Sequence, residues 1–299
     1  MAIPIRYAEW RSRLREYLSD KETPLDLARM IRYALLQGPW QPWMIHHYQR
    51  HGRNPRLPST DRSMFEAMDV AEAVRRLNVD AFAAGWRVPA GEVAEIAAYA
   101  RATGEKRSDD PHRFCEAARR IALDPQVLEV ARGYLRAEPI LNSSKLYWTM
   151  PPRGDRDGQL RAAAEGGRFH YDLADLKAVT LFIYLTDVDA DCGPHVVVRG
   201  TQGRKRFAQI FNRFIAEEEI QRRFPGRMHV ITGERGTAWF EDISCYHKQA
   251  AAERTRLMLS IIYSLHRQPL AEERARRGAA ARSGRAAGGT TIATQGPPA

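Results

Sequence analysis

The feature that most constrains this 299-residue chain is a change of hydrophobic period near residue 140. Before it, apolar residues recur every third or fourth position. Trp10, Leu14, Tyr17 and Leu18 form one stripe, and Leu27, Met30, Ile31, Ala34 and Leu35 form another, so residues 8–37 are predicted to be helical. Thr23-Pro24 supplies an N-cap and a first-turn proline for the second stripe, and Gly38-Pro39 stops it. The proline-rich stretch 38–62 reads as loop. Helices are expected at about 65–76, 90–103, 110–121 and 124–137, the last opened by Asp124-Pro125. After residue 140 the period becomes two. In 178–186, Val179, Leu181, Ile183 and Leu185 fall on one face, and Thr180, Phe182, Tyr184 and Thr186 on the other. Further strands are predicted at 140–149, 195–199, 228–232, 236–241 and 256–265. A loop is expected at 151–167, a turn at 189–194 and a helix over 203–224. Many short strands after a helical half predict a mainly β core, a barrel or jelly roll with helices packed outside.

Composition narrows the class. Hydrophobic residues make up 44% and charged residues 27%, enough apolar matter for a sizeable core. No apolar run is long enough to span a membrane, and the N-terminus lacks a signal-peptide core, which makes the cytoplasm the expected compartment. Cys115, Cys192 and Cys245 are odd in number and far apart, which argues for free thiols over disulfides or a zinc knuckle. The net charge is +10, but six arginines against two glutamates beyond residue 265 account for four of those charges. The remaining excess suits an anionic ligand and is no signature of nucleic-acid binding. The Arg/Ala/Gly-rich tail, 266–299, has no apolar periodicity and reads as disordered.

One tripeptide carries the candidate chemistry. Among nine histidines, only His170 lies in an H-x-D, His170-Tyr171-Asp172. Period two puts the imidazole and the carboxylate on one face of a strand end, where both can reach one metal. A distant third histidine would complete a two-His-one-carboxylate triad, which suits Fe(II) and leaves positions open for co-substrate and oxygen. The tripeptide alone does not decide, because a hydrogen-bonded His–Asp pair has the same spelling. Context does more: the strand from Gly236 runs into a polar turn and His247, and nine residues further Arg256 opens another strand. A fixed guanidinium beside a metal can grip the far carboxylate of a dicarboxylate such as 2-oxoglutarate.

The residues His170-Tyr171-Asp172, Leu181-Phe-Ile-Tyr-Leu-Thr-Asp-Val188, Cys192-Gly-Pro194, Val196-Val-Val-Arg-Gly-Thr-Gln202, His247 and Arg256-Leu-Met-Leu-Ser-Ile-Ile-Tyr263 resemble the phytanoyl-coenzyme A dioxygenase family of Fe(II)/2-oxoglutarate oxygenases. Leu77-Asn-Val-Asp-Ala-Phe82 is similar to that family's opening Leu-x-x-Asp-Gly-Phe, read as a helix entry. The resemblance implies a double-stranded β-helix (a cupin-like jelly roll) over 77–265, preceded by a helical N-terminal extension, 1–76. It implies iron ligands His170, Asp172 and His247, Arg256 on the distal 2-oxoglutarate carboxylate, and Tyr171 and Phe182 bordering the co-substrate. The implied reaction uses Fe(II), 2-oxoglutarate and O2 to hydroxylate an unactivated C–H of a small molecule, releasing succinate and CO2. Asp172 argues against a halogenase, which lacks that carboxylate. Where the family often reads Pro-Gly-Ser-His, this chain reads Arg199-Gly-Thr-Gln202, and the gap from His247 to the arginine is short. Arg254 shares the expected strand face with Arg256 and remains an alternative clamp.

Other residues have plainer readings. His46, His47 and His51 are expected in a basic surface loop, His195 and His229 as hydrogen-bonded strand residues, and Tyr147 and Trp148 in the core or the pocket wall. Arg204-Lys-Arg206 reads as a solvated helix start. The expected partner is a small-molecule substrate, with no nucleic acid and no membrane span, in a monomer or homodimer. The alternatives are a non-catalytic cupin-like binding protein and a nucleic-acid demethylase of the same chemistry.

Overall fold

The computed structural model describes residues 39–151, 168–172, 174–203, 205 and 213–266. The helices expected over 8–37 and the tail beyond residue 266 lie outside the described residues, as do 152–167 of the expected loop.

The described chain opens with helix α1 (Gln41–His51) and α2 (Val70–Asp80), then strand β1 (Phe82–Arg87), α3 (Ala90–Thr103) and β2 (Arg107–Asp109). A 3-10 turn, Pro111–Arg113, leads to α4 (Glu116–Ala122) and α5 (Pro125–Leu135). From β3 (Ile140–Thr149) the chain is mostly strand: β4 (Ala178–Tyr184), β5 (His195–Val198), β6 (Met228–Ile231), β7 (Thr237–Glu241), β8 (His247–Gln249) and β9 (Arg256–Ser264). Helix α6 (Glu217–Arg223) lies between β5 and β6. The strands pair antiparallel in a six-stranded sheet, ordered β1-β7-β4-β9-β3-β2, and a three-stranded sheet, ordered β6-β5-β8. This is the expected mainly β jelly roll of the double-stranded β-helix type.

The centre of the large sheet is covered on both faces, which is why β4 and β9 are buried along their whole lengths. Leu181, Ile183, Ala238, Phe240, Leu257 and Leu259 meet the helices, with Leu77, Ile96, Ile121, Leu128 and Leu135 opposite. Alternation sends Phe182, Tyr184, Trp239 and Met258 the other way, into the space facing the small sheet. Asp124 caps α5 as expected, its Oδ1 accepting from the Gln126 and Val127 amides at 2.9 and 3.3 Å. The same carboxylate accepts from Ser63 Oγ (2.9 Å) and the Met64 amide (2.8 Å), tying the preceding loop to the helix layer.

Several expectations need correction. The stretch 38–62 contains α1, because Pro42 stands in its first turn, where a missing N–H costs nothing. The helix expected at 65–76 is α2, which spans residue 77 and buries Leu77 in the main core. Leu77-Asn-Val-Asp-Ala-Phe82 is thus a helix exit into β1. Ala81 takes the left-handed φ of 62°, the conformation that the glycine of the resembled pattern adopts freely. Of the helix expected over 203–224, only Glu217–Arg223 is helical among the described residues. Residues 206–212 lie outside them, and Ile215 forms a β-bridge to Phe169.

The helix–sheet seam gives a first testable consequence. His112 Nδ1 lies 2.6 Å from the buried Ser144 Oγ, and burial pushes the imidazole down to about 4 from 6.5, with Asp110 opposing. A base depressed by folding stabilises the fold fully above pH 6.5, and that contribution is lost as pH falls toward about 4. Urea melts of the parent should weaken across this window, and His112→Gln should flatten the slope there.

Candidate metal centre

The chain enters the small sheet's edge at Phe169 and His170. His170 and His247 exchange backbone hydrogen bonds (2.9 and 2.8 Å), and the Asp172 amide donates to the Ile243 carbonyl at 2.8 Å. These pairings set the two halves of the candidate triad side by side. One ligand atom from each of His170, Asp172 and His247 lies within 4.8 Å of the others. The imidazole centroids are 4.5 Å apart, and His247 Nε2 is 3.7 Å from Asp172 Oδ2.

The tautomers follow from the neighbours. His170 Nδ1 is 3.1 Å from the Arg168 carbonyl and His247 Nδ1 is 3.1 Å from the Cys245 carbonyl. A carbonyl only accepts, so each Nδ1 carries the proton and each Nε2 keeps its lone pair for a metal. Burial, helped by the nearby His247, pushes His170 down to about 4, so it is neutral at physiological pH. Desolvation pushes Asp172 up but is outweighed by its close contact with His247 and by the His247, His170 and Arg213 charges, leaving it well below the usual carboxylate range. For His247, burial acts downward and the adjacent Asp172 carboxylate and Glu241 outweigh it, giving a net rise.

A second group, Glu241, Cys245 and His247, also converges, yet it is unsuited to a metal. Burial and the Glu241 charge push the Cys245 thiol far up, and His247 Nδ1 is already donating to a carbonyl. Glu241 has a different task. Fully buried, it accepts from His195 Nε2 (2.9 Å), Trp239 Nε1 (3.2 Å) and Cys245 Sγ (3.5 Å). His195 in turn stacks on His247, centroids 5.4 Å apart and planes 20° apart, with Phe182 against its other neighbour Trp239. Sequence reasoning missed Glu241, although an acid two residues after Trp239 on an apolar strand was the available signal.

Arg256 and Arg254 separate cleanly. Arg254 sits in a bend before β9, 56% exposed, paired with Asp189. Arg256 is 0% exposed and pairs across the sheet with Thr149 on the interior face. Its Nη1 donates to the Gly193 carbonyl (2.5 Å), its Nη2 to Gln249 Oε1 (3.0 Å) and Thr149 Oγ1 (3.2 Å), and its Nε has no partner. Every described acceptor is thus a neutral oxygen. Gly193 makes this cradle possible at φ +64°, where a Cβ would stand 2.8 Å from Ala252 Cβ and 3.0 Å from the Ala250 carbonyl. Gly193→Ala should therefore cost about 2 kcal/mol or more of stability in thermal or urea unfolding, from left-handed strain plus the clash.

The two remaining expected residues part company. Phe182 lies inside, stacked on Trp239 with centroids 5.3 Å apart. Tyr171 does not join it: period two turns it away from His170 and Asp172 into a cluster with Phe169, Val198, Ile215 and Tyr246 outside the small sheet. His229 is exposed beside Phe82, and Tyr147 reaches the inner cluster while Trp148 packs against the helix-side core. All three cysteines are free and buried, and no described helix is long and apolar enough to cross a membrane.

No protein-family model matches the sequence, and no curated protein matches it. Solved structures do. The epimerase SnoN, crystallised with Fe3+, alpha ketoglutarate and nogalamycin RO, is 18% identical with a TM-score of 0.50, over 65% of this chain and 82% of that one. AviO1 from Streptomyces viridochromogenes Tue57 (14% identity, TM-score 0.48, 68% and 97% covered) and EctD from S. alaskensis with 2-oxoglutarate and 5-hydroxyectoine (17%, 0.48, 72% and 85%) are further matches. At this identity the likeness to SnoN is one of fold.

Proposed function

We propose that this chain is a non-heme Fe(II)- and 2-oxoglutarate-dependent oxygenase that hydroxylates a small organic substrate. The observation that carries this reading is Arg256: a guanidinium wholly inside the barrel whose described partners are all neutral. A buried cation left without an anion costs several kcal/mol. Its retention on the interior face calls for an anionic ligand, and a dicarboxylate that also reaches the metal centre supplies one. The donor set fits a ferrous ion: two imidazoles presenting Nε2, one ionised carboxylate and no thiolate. SnoN, which shares the fold, was crystallised with iron and alpha ketoglutarate, in keeping with this reading.

In this reading His170, Asp172 and His247 hold the metal. Arg256 binds the distal carboxylate, and Gly193, Thr149 and Gln249 aim the guanidinium. Tyr184, its ring centroid 5.5 Å from the Arg256 guanidinium carbon, would help exclude water from this end of the site and raise the worth of the ion pair. Glu241 and His195 buttress His247 from behind. The bound ion and 2-oxoglutarate would supply O2 activation for C–H oxidation, with succinate and CO2 as co-products.

The test is succinate release from 2-oxoglutarate under air with Fe(II). Release that depends on Fe(II) and disappears in His170→Ala supports the enzyme. None above the variant's background, across a panel of small-molecule substrates, would leave a binding protein in its place.

A further inference from the structure

Residues 213–216, just before α6 and expected to be helical, instead run beside Phe169 of the H-x-D segment. The Ile215 amide donates to the Phe169 carbonyl at 2.8 Å, an antiparallel bridge that fixes Arg213 and Phe214 beside the metal centre. Arg213 Nη1 lies 2.6 Å from Asp172 Oδ1. The guanidinium also rests over the Phe214 ring, 5.0 Å from its centroid, and that ring lies 5.9 Å from His170. The two oxygens of Asp172 are therefore unequal: Oδ1 is engaged by Arg213, and Oδ2 faces His247 Nε2.

Resting on the metal reading above, we infer that Arg213 is a positioning residue that holds Asp172 to single-oxygen ligation. A carboxylate can bind a cation through one oxygen or both. Two imidazoles and a one-oxygen carboxylate leave an octahedral ion three positions, enough for a two-toothed 2-oxoacid and for oxygen. A two-oxygen carboxylate leaves one fewer. A charge-assisted hydrogen bond on Oδ1 disfavours the second mode, and the added positive charge favours a dianionic co-substrate. Loss of Arg213 should then lower co-substrate affinity without a comparable loss of metal affinity, whereas a merely structural residue would lower both.

The experiment uses Ni(II), which binds such donor sets without turnover, and two calorimetric titrations: Ni(II) into the metal-free protein, then 2-oxoglutarate into the Ni(II)-loaded protein. In Arg213→Gln, Ni(II) affinity should stay within about threefold of the parent or tighten, while 2-oxoglutarate affinity falls about 10- to 100-fold. Arg213→Lys, which keeps one charged donor, should recover most of that loss. Unchanged 2-oxoglutarate affinity in Arg213→Gln overturns the inference, as does a parallel fall of both affinities. If the parent binds Ni(II) no better than His170→Ala does, the metal reading fails and the inference with it.

Discussion

Arg256→Met should weaken 2-oxoglutarate binding by at least about 30-fold and leave the co-substrate-free protein as stable as the parent, or more so. The two halves share one cause. In the free protein the fully buried guanidinium is satisfied only by Gly193, Gln249 and Thr149 oxygens, with Nε unpaired. Replacing an under-compensated buried charge with an apolar side chain of similar reach is neutral or stabilising. Losing the cation removes a desolvated, charge-assisted contact worth about 2–5 kcal/mol, and the lower end of that range is already about 30-fold. Arg256→Lys should recover only part, since an ammonium cannot present the planar fork. Isothermal titration and thermal melts with and without 2-oxoglutarate read both halves. A parent that gains no thermal stability from 2-oxoglutarate would argue against this account of Arg256.

Glu241→Ala should be the most destabilising single change in the centre, at about 3–5 kcal/mol. It removes the acceptor of three buried donors, His195 Nε2, Trp239 Nε1 and Cys245 Sγ, and opens a void inside the barrel. Domain stability is typically about 5–15 kcal/mol, so the loss is a large share of the whole. Glu241→Gln keeps one carbonyl acceptor and should cost less. Urea unfolding followed by the fluorescence of the chain's tryptophans, of which Trp239 touches the substitution, ranks the three proteins. Equal stability of parent and alanine variant would show that the cluster is not held by Glu241.

What the sequence made legible follows from which signals are local. Period two located β3 at Ile140–Thr149 and the helical period located α3 at Ala90–Thr103, because each is long enough to repeat its pattern several times. The three-residue strands Arg107–Asp109 and His247–Gln249 have no room for a pattern, and their pairing comes from neighbours distant in sequence. β1 was hidden for another reason: Phe82–Arg87 contains Gly85 and a register shift that break the alternation. The side chains of His170, Asp172 and His247 were legible as a set because their spacing and the flanking strands are written in the chain. Arg254 and Arg256 were not separable by periodicity. A bend at Arg254 places it outside with Asp189, and the register against Thr149 carries Arg256 inside. Tyr171 stands between two inward side chains, so period two turns it outward into the cluster with Phe169 and Tyr246. Arg213 left no local signal, since its place depends on a single bridge, Phe169 to Ile215.

The most direct test of the central claim is the visible absorption of the protein under argon with Fe(II) and 2-oxoglutarate. A 2-oxoacid chelated to a ferrous ion gives a charge-transfer band that neither component gives alone. The parent should develop the band at one equivalent of each, Arg256→Met only at much higher 2-oxoglutarate, and His247→Ala not at all. A parent protein that shows no band, or a His247→Ala variant that shows the parent's, would contradict the assignment of His170, Asp172 and His247 as the iron site.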